Sequence, residues 1–262
     1  MKLKMNNKKI LILVMVFALV WCNISSTSVY GAEGDGATVP FSFDFNVSAA
    51  EDGGDVVSSL QILFILTIIS LAPSILVMMT SFTRILVVLH FIRSALGTQQ
   101  TPPNQILVGL ALFLTMFIMS PAIVEINEEA LQPYSAGEIS QEVAIEKGLA
   151  PLREFMMGQV KDKDLRLFLD IAQVDYVDNY DEIPTEALIP AFIISELRTA
   201  FIIGFMIYIP FIIIDMVVAS TLMSMGMMML PPVMISLPFK LLLFVAADGW
   251  TLIIGELVKS FY

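Results

Sequence analysis

Glu196, Arg198, Asp215, Lys240 and Asp248 all stand in or beside long apolar runs. A charge at the centre of a bilayer costs roughly 2.5–3.5 kcal/mol by insertion scales, and more by simulation, unless it is paired or faces water. These five residues therefore call for partners. Glu196 and Arg198 are two positions apart, so on one helix they point to different faces and cannot form an i,i+4 pair. Each needs a partner elsewhere, and Lys240 is the natural candidate for Glu196. The plainer reading is that each charge lies at a membrane interface and snorkels. That suits Lys240 and Asp248, which lie near proline or glycine, better than Glu196, which is set inside its block.

Two acids in apolar surroundings also raise the chemistry of an aspartyl protease, but the Tyr-Asp and Gly-x-Gly-Asp contexts of that class are missing. The single cysteine, Cys22, excludes an internal disulfide framework and a cysteine metal site. The single histidine, His90, removes most acid–base and metal chemistry. There is no HExxH, GxSxG, P-loop or GxGxxG pattern. No catalytic residue, metal ligand or cofactor is expected.

A different chemistry is suggested by Met223, Met225, Met227, Met228 and Met229, which crowd the residues before Pro231-Pro232. Methionine is flexible and polarizable, so a ring of such side chains can seal an irregular opening and still yield to varied cargo. Gly226 and the prolines would hold the stretch as a bend. The alternative is ordinary apolar filler, common for methionine in such helices.

The elements that must position these residues are apolar. The chain is 57% hydrophobic and 15% charged, with a mean hydropathy of +0.82. So few polar groups cannot cover a soluble surface, and several runs reach the roughly 20 residues that span a bilayer as a helix. An all-α, multi-spanning membrane protein follows. Leu60–Thr80, with Pro73 inside it, is the first long block, and Arg84 and Arg93 flank Ile85–Ile92. Residues 97–104 (GTQQTPPN) read as a loop, and Ile106–Ile126 is the next block, with Pro121 near its end. Beyond Pro190 the blocks are Ala191–Ile214, broken by Pro210, and Met216–Leu230. Ile235–Ala247 and Thr251–Val258 are too short to cross simply, and suggest re-entrant or paired half-helices.

The net charge of −11 is unevenly placed. Lys2, Lys4, Lys8 and Lys9 precede an apolar run, Ile10–Val20, in the manner of a secretory signal. Cleavage after Gly31 would leave residues 1–31 as signal and 32–58 as a flexible extracytoplasmic tail. Leu19-Val20-Trp21-Cys22 is no lipidation site, because Trp21 stands where a small residue is needed. Between Glu125 and Glu186 there are fifteen acids and five bases, which excludes nucleic acid as a partner. This segment reads as an acidic helical insert, residues 127–187, between a first hydrophobic hairpin, 59–126, and a second hydrophobic block, 188–262. Arg84 and Arg93 favour a cytoplasmic loop near residue 97, which puts the acidic insert outside. Within the insert Pro151 is expected to start a helix running to about Val160. Asp162 is expected to cap a second one whose Leu165, Phe168, Leu169 and Ala172 share a face. Phe155 and Phe168 are the largest packing candidates, either inside the chain or between subunits.

At these residues the chain resembles a known family. Pro190-Ala191-Phe192-Ile193-Ile194-Ser195-Glu196-Leu197-Arg198-Thr199-Ala200-Phe201 is similar to a signature of the flagellar biosynthetic protein FliP family. So are Met227-Met228-Met229-Leu230-Pro231-Pro232, Leu237-Pro238-Phe239-Lys240, Ser81-Phe82-Thr83-Arg84-Ile85 and the loop at 97–105. The resemblance runs from about Leu60 to Tyr262. Relatives in virulence-type secretion systems usually lack the signal and tail, so Met1–Asp55 favours the flagellar branch.

The resemblance implies an export-gate subunit of the type III secretion apparatus in the bacterial inner membrane, at the centre of the flagellar basal body. It implies long broken helices forming hairpins, packed into a cone-like assembly of about five copies with two other small membrane subunits of FliQ and FliR type. Unfolded flagellar export substrates would pass through it, and lipid would surround it. Met227, Met228 and Met229 would seal the closed pore. Glu196, Asp215 and Lys240, with Arg198 beside them, would be buried charges serving packing and assembly, and Phe155 and Phe168 would contact neighbouring copies. The alternatives are the equivalent gate of a virulence system, or an ion-coupled transporter of a small solute using Asp215 and Glu196. The transporter should show internal repeats, and none is convincing in the sequence.

Overall fold

The computed structural model describes residues 54–98, 100–174, 183–227 and 229–262. The expected signal peptide, most of the expected tail, Asp175, Asp178, Asp181 and Glu182 of the insert, and Met228 lie outside the described residues. The chain divides into two units, residues 1–58 and 59–262, and the second carries the features below.

Every regular element among the described residues is helical. The first apolar blocks become α1 (Gly54–Met78), α2 (Phe82–Ala95), α3 (Asn104–Ile118) and α4 (Ser120–Ile126). A π-helical turn, Asn127–Leu131, and the short α5 (Gln132–Ser135) follow α4. The insert supplies α6 (Gln141–Gln159) and α7 (Asp162–Ile171). The last block forms α8 (Thr185–Ser224), α9 (Pro232–Ala246) and α10 (Gly249–Lys259). The chain bends by 66° between α1 and α2, by 61° between α3 and the helical stretch that begins with α4, and by 64° between α9 and α10. The last bend is the paired half-helix expected there, with Asp248 in the left-handed conformation at the break (φ 47°). Pro121 sits in the first turn of α4, where its missing amide would have had no helical partner anyway.

Three expectations give way. Pro210 does not break the helix around it: α8 runs 40 residues through both Pro190 and Pro210. Each proline deletes one backbone bond, at a cost of about 3 kcal/mol, but an apolar stretch has no other way to satisfy the rest of its backbone. Pro151 does not start a helix either. It lies inside α6, which begins ten residues earlier with Ser140 as N-cap, its Oγ accepting from the Val143 amide at 3.4 Å. Asp162 is not a cap but the first helical residue of α7, with Lys161 extended before it. Asp162 and Asp164 in that first turn still complement the positive end of the helix.

At 1.5 Å per residue α8 is about 60 Å long, twice the roughly 30 Å hydrocarbon core of a bilayer. It is the one described helix long and apolar enough to cross by itself, and each bent pair could count as a further span. One face of its first half is covered within the chain. Ala187, Leu188, Ala191 and Phe192 pack against Leu152 and Met156 of α6, Leu165 and Leu169 of α7, and Met79, Met119 and Ala122. Removing a leucine side chain from water is worth about 1.5–3 kcal/mol. Of the four residues expected to share a face on α7, Leu165 and Leu169 are buried, Phe168 packs against them, and Ala172 is exposed past the helix end.

A second core lies farther along. The i, i+3, i+4, i+7 face of α2, Ile85, Val88, Leu89 and Ile92, meets Leu107 and Ala111 of α3, Ala200 and Phe211 of α8, Phe244 of α9 and Leu257 of α10. Here α2 and α8 come close because Gly204 has no side chain: a Cβ on it would lie 2.4 Å from ring carbons of Phe91. Phe91 also stands edge-on to Phe201, with centroids 5.4 Å apart. Beyond Gly204 much of the apolar surface of α8 is bare, with Phe205, Met206, Ile213, Met216 and Val217 all exposed.

Candidate functional site

Each of the three charges that α8 carries inside its apolar run is met by a different element. Glu196, wholly buried, faces Arg84 on α2. The Arg84 Nε donates to Glu196 Oε2 at 2.9 Å and its Nη2 donates to Glu196 Oε1. The rest of the guanidinium is also used: Nη1 donates to the Ser260 carbonyl at 2.9 Å and to Ser260 Oγ at 3.1 Å, and Nη2 to Gln159 Oε1 at 2.8 Å. All five donors that a guanidinium offers are thus engaged. Gln159 Nε2 in turn donates to the Phe261 carbonyl at 3.1 Å. The Phe261 ring lies 3.9 Å from the guanidinium carbon, a cation–π contact. Phe155 stacks on Phe261 and stands edge-on to Phe192. One buried cluster thereby ties α2, α6, α8 and the residues after α10.

The expected pairing of Glu196 with Lys240 is wrong. Lys240 Nζ, itself 2% exposed, donates to Asp215 Oδ2 at 2.6 Å. Ser236, one turn earlier on α9, donates its hydroxyl to Asp215 Oδ1 at 2.5 Å. Lys240 therefore does not snorkel; its amine is enclosed beside Gly97, where a Cβ would come within 3.8 Å of Nζ. Arg and Lys had two acids to choose between, and only the bidentate fork of Arg84 matches a carboxylate with no exposed edge.

Arg198 reaches the insert. Its Nη2 donates to Asp164 Oδ1 at 2.5 Å, while Ser195 Oγ donates to Asp164 Oδ2 at 2.8 Å and accepts from the Lys161 amide at 3.0 Å. Glu196 and Arg198 do point to different faces, as their spacing requires. Asp248 is exposed at the α9–α10 bend. Glu196 and Asp215 are each occupied by their own cation, so they do not form the shared-proton pair of an aspartyl protease. No group of three His, Cys, Asp or Glu residues among those described is placed to hold a metal.

The methionine stretch divides between helix and turn. Met223 ends up on the last turn of α8, and Gly226 (φ +76°) closes that helix. The Met227 amide donates to the Leu222 carbonyl at 3.0 Å and the Gly226 amide to Met223 at 3.1 Å, the bonding of a Schellman cap, which needs a left-handed residue at this point. Met227 is half bare and Met229 is 98% exposed at the tip of the turn. Behind them Leu222, Met223, Met227, Leu230 and Pro232 line an apolar hollow of about 260 Å³.

Phe155 and Phe168 both pack within the chain, Phe155 at the junction of the two cores. The residues not singled out from sequence are Arg84, Gln159, Asp164, Ser195, Ser236, Ser260 and Phe261. Arg84 carried a signal, a cation wedged between two apolar blocks and part of the Ser81–Ile85 motif, but linear order does not name its partner. The importance of the others rests on what lies opposite them.

The sequence pattern of the FliP family matches residues 65–257. The flagellar biosynthetic protein FliP of Bacillus subtilis (strain 168) is 56% identical over 216 residues, covering 82% of this chain and 98% of its own length. The protein of the same name from Pectobacterium carotovorum subsp. carotovorum is 54% identical over 204 residues, 78% of this chain and 79% of its own. That of Borreliella burgdorferi is 54% identical over 212 residues, 80% and 84%.

Proposed function

The chain belongs to the FliP family, and on that premise we propose that it is a membrane subunit of the flagellar type III export apparatus that lines the gate through which unfolded flagellar proteins leave the cell. The observation that carries the gate reading is the exposed Met227 and Met229 turn at the end of a helix whose second half, apart from Phe211, Asp215 and Leu222, leaves much of its apolar surface bare. Such a surface needs lipid or other subunits against it. A helix about 60 Å long cannot lie wholly in lipid across one bilayer, which favours other copies for part of that cover. About five copies, with subunits of FliQ and FliR type, would bring the methionine turns together on one axis, where soft side chains seal without fixed shape. The insert would lie outside the cell membrane, and the partly exposed edges of Phe155 and Phe168 would meet neighbouring copies.

In this reading the ion pairs are structural. Each joins α8 to a different element, so a straight spine holds the insert through Asp164, α2 through Arg84 and the α9 half-helix through Lys240. Bonded buried charges set the register of packed helices, since a shift would leave one unpaired.

The test is the mass of the particle extracted in mild detergent, with and without the other gate subunits co-produced. The expectation is a defined complex containing several copies. A strict monomer under both conditions overturns the proposal.

A further inference from the structure

Arg198 is the single cation of α8, and it stands at the edge of a bare apolar stripe. Ile194 precedes it by four residues, and Phe201, Ile202 and Phe205 follow at three, four and seven, a spacing that puts them on one side of the helix. All four are exposed. Arg198 is held from the insert: its Nη2 donates to Asp164 Oδ1 at 2.5 Å, and the buried Asp164 is fixed in turn by Ser195. The Nε and Nη1 of Arg198 make no hydrogen bond among the described residues. A guanidinium has five donors, so most of this one is left for something beyond the chain.

Between Arg198 and α7 lies an open cleft of about 480 Å³. Lys163, Arg166, Leu167 and Asp170 line it at spacings of three and four, on the face of α7 opposite the buried Leu165 and Leu169. Asp162 lines it too. Three cations and two exposed acids, Asp162 and Asp170, thus share one cleft. A simple anion gains from the cations but meets repulsion from the acids, and a simple cation the reverse. A ligand with both signs a few bonds apart satisfies both sets. Phe201 and Ile202 follow Arg198 within about one turn of α8, roughly 5 Å, so the same ligand can carry an apolar tail. A phosphate linked to a primary ammonium and to acyl chains has all of these properties.

We propose that this cleft holds the headgroup of a phospholipid with a primary amine, of the phosphatidylethanolamine kind. Arg198 and Lys163 take the phosphate, Arg198 through the paired N–H groups that suit it. Asp162 and Asp170 take the ammonium, and an acyl chain lies on Phe201, Ile202 and Phe205. The bound lipid anchors α7 at the bilayer surface. The site rests on the membrane character of the chain and not on the gate reading, which particle mass tests separately.

The test is thermal unfolding of the full chain in a mild detergent, titrated with phosphatidylethanolamine, phosphatidylglycerol, phosphatidylcholine or inorganic phosphate. Phosphatidylethanolamine is expected to raise the midpoint saturably, by about 3–6 °C at a concentration roughly tenfold above half-saturation. Phosphatidylglycerol lacks the ammonium, and the ammonium of phosphatidylcholine has no N–H to donate, so each should give a smaller shift. Asp162→Asn with Asp170→Asn should remove the advantage of phosphatidylethanolamine over phosphatidylglycerol. Lys163→Gln should weaken the response to both. These three side chains are exposed on α7, so the changes spare the core. Equal shifts from the three lipids overturn the proposal. So does an amine preference that survives the paired aspartate change, or inorganic phosphate that matches phosphatidylethanolamine.

Discussion

Arg84 and Glu196, 112 positions apart in the chain, meet through two side-by-side hydrogen bonds in a place where Glu196 is wholly buried and Arg84 is 2% exposed. The pair closes because every remaining donor of Arg84 finds an acceptor on α6 or after α10. Removing one partner leaves a charge with no water to turn to.

Arg84→Ala is expected to destabilise the folded chain by about 3–5 kcal/mol, the usual cost of stranding one member of a buried ion pair. Replacing both partners, as in Arg84→Met with Glu196→Leu, should recover much of that loss, because the stranded charge is gone. Thermal unfolding in a single detergent would measure both. If the double variant is no more stable than Arg84→Ala, the pair is not an isolated unit and the hydrogen bonds to Ser260 and Gln159 carry the stability instead.

Lys240 should depend on Asp215 in the same way but less steeply, since Asp215 retains some exposure. Asp215→Asn keeps the acceptor for Ser236 and removes the countercharge, so a loss of about 1–3 kcal/mol is expected. A double-mutant cycle with Lys240→Met gives the coupling directly. Additive effects within about 0.5 kcal/mol would show that the two residues do not interact as the geometry has them.

Alanine or serine at Met227, Met228 and Met229 should leave the complex assembled but make cells or vesicles leak small ions. The turn is held by Gly226 and its backbone bonds, not by the methionine side chains, so the substitutions spare the fold. Variants that assemble normally and stay as tight as wild type would refute a sealing role.

Gly204→Ala places a methyl group against the Phe91 ring. Forcing α2 from α8 should cost about 1–3 kcal/mol, and Phe91→Leu in the same chain should return part of it. A Gly204→Ala chain with unchanged thermal stability would mean that the two helices can part without penalty there.

Much of the architecture could be read before any coordinates. The apolar block at 60–80 is helical as far as Met78, that at 106–126 is two helices bent at Met119, that at 191–214 lies within α8, which runs on through the start of the separately expected block at 216–230, and the short segments at 235–247 and 251–258 form a bent pair. Proline misled at Pro151 and Pro210 because its rule is local. At Pro151, Pro190 and Pro210 the helix continues because the neighbouring residues gain more from helical bonding and packing than one missing amide removes. Charge pairing was legible only as a demand. The spacing of Glu196 and Arg198 required separate partners, but the partners came from α2 and α7, and nothing in linear order ranks Arg84 above Lys240.

The sequence by itself determined that this is a helical membrane protein of the FliP family, because hydropathy, proline and glycine signals and short motifs are properties of consecutive residues. Which cation meets which acid, which helix Gly204 admits, and that Phe155 joins two cores were decided by the tertiary structure. Those are contacts between residues tens to more than a hundred positions apart. Their energies depend on burial and angle, and both exist only once α8 has gathered the other helices around it.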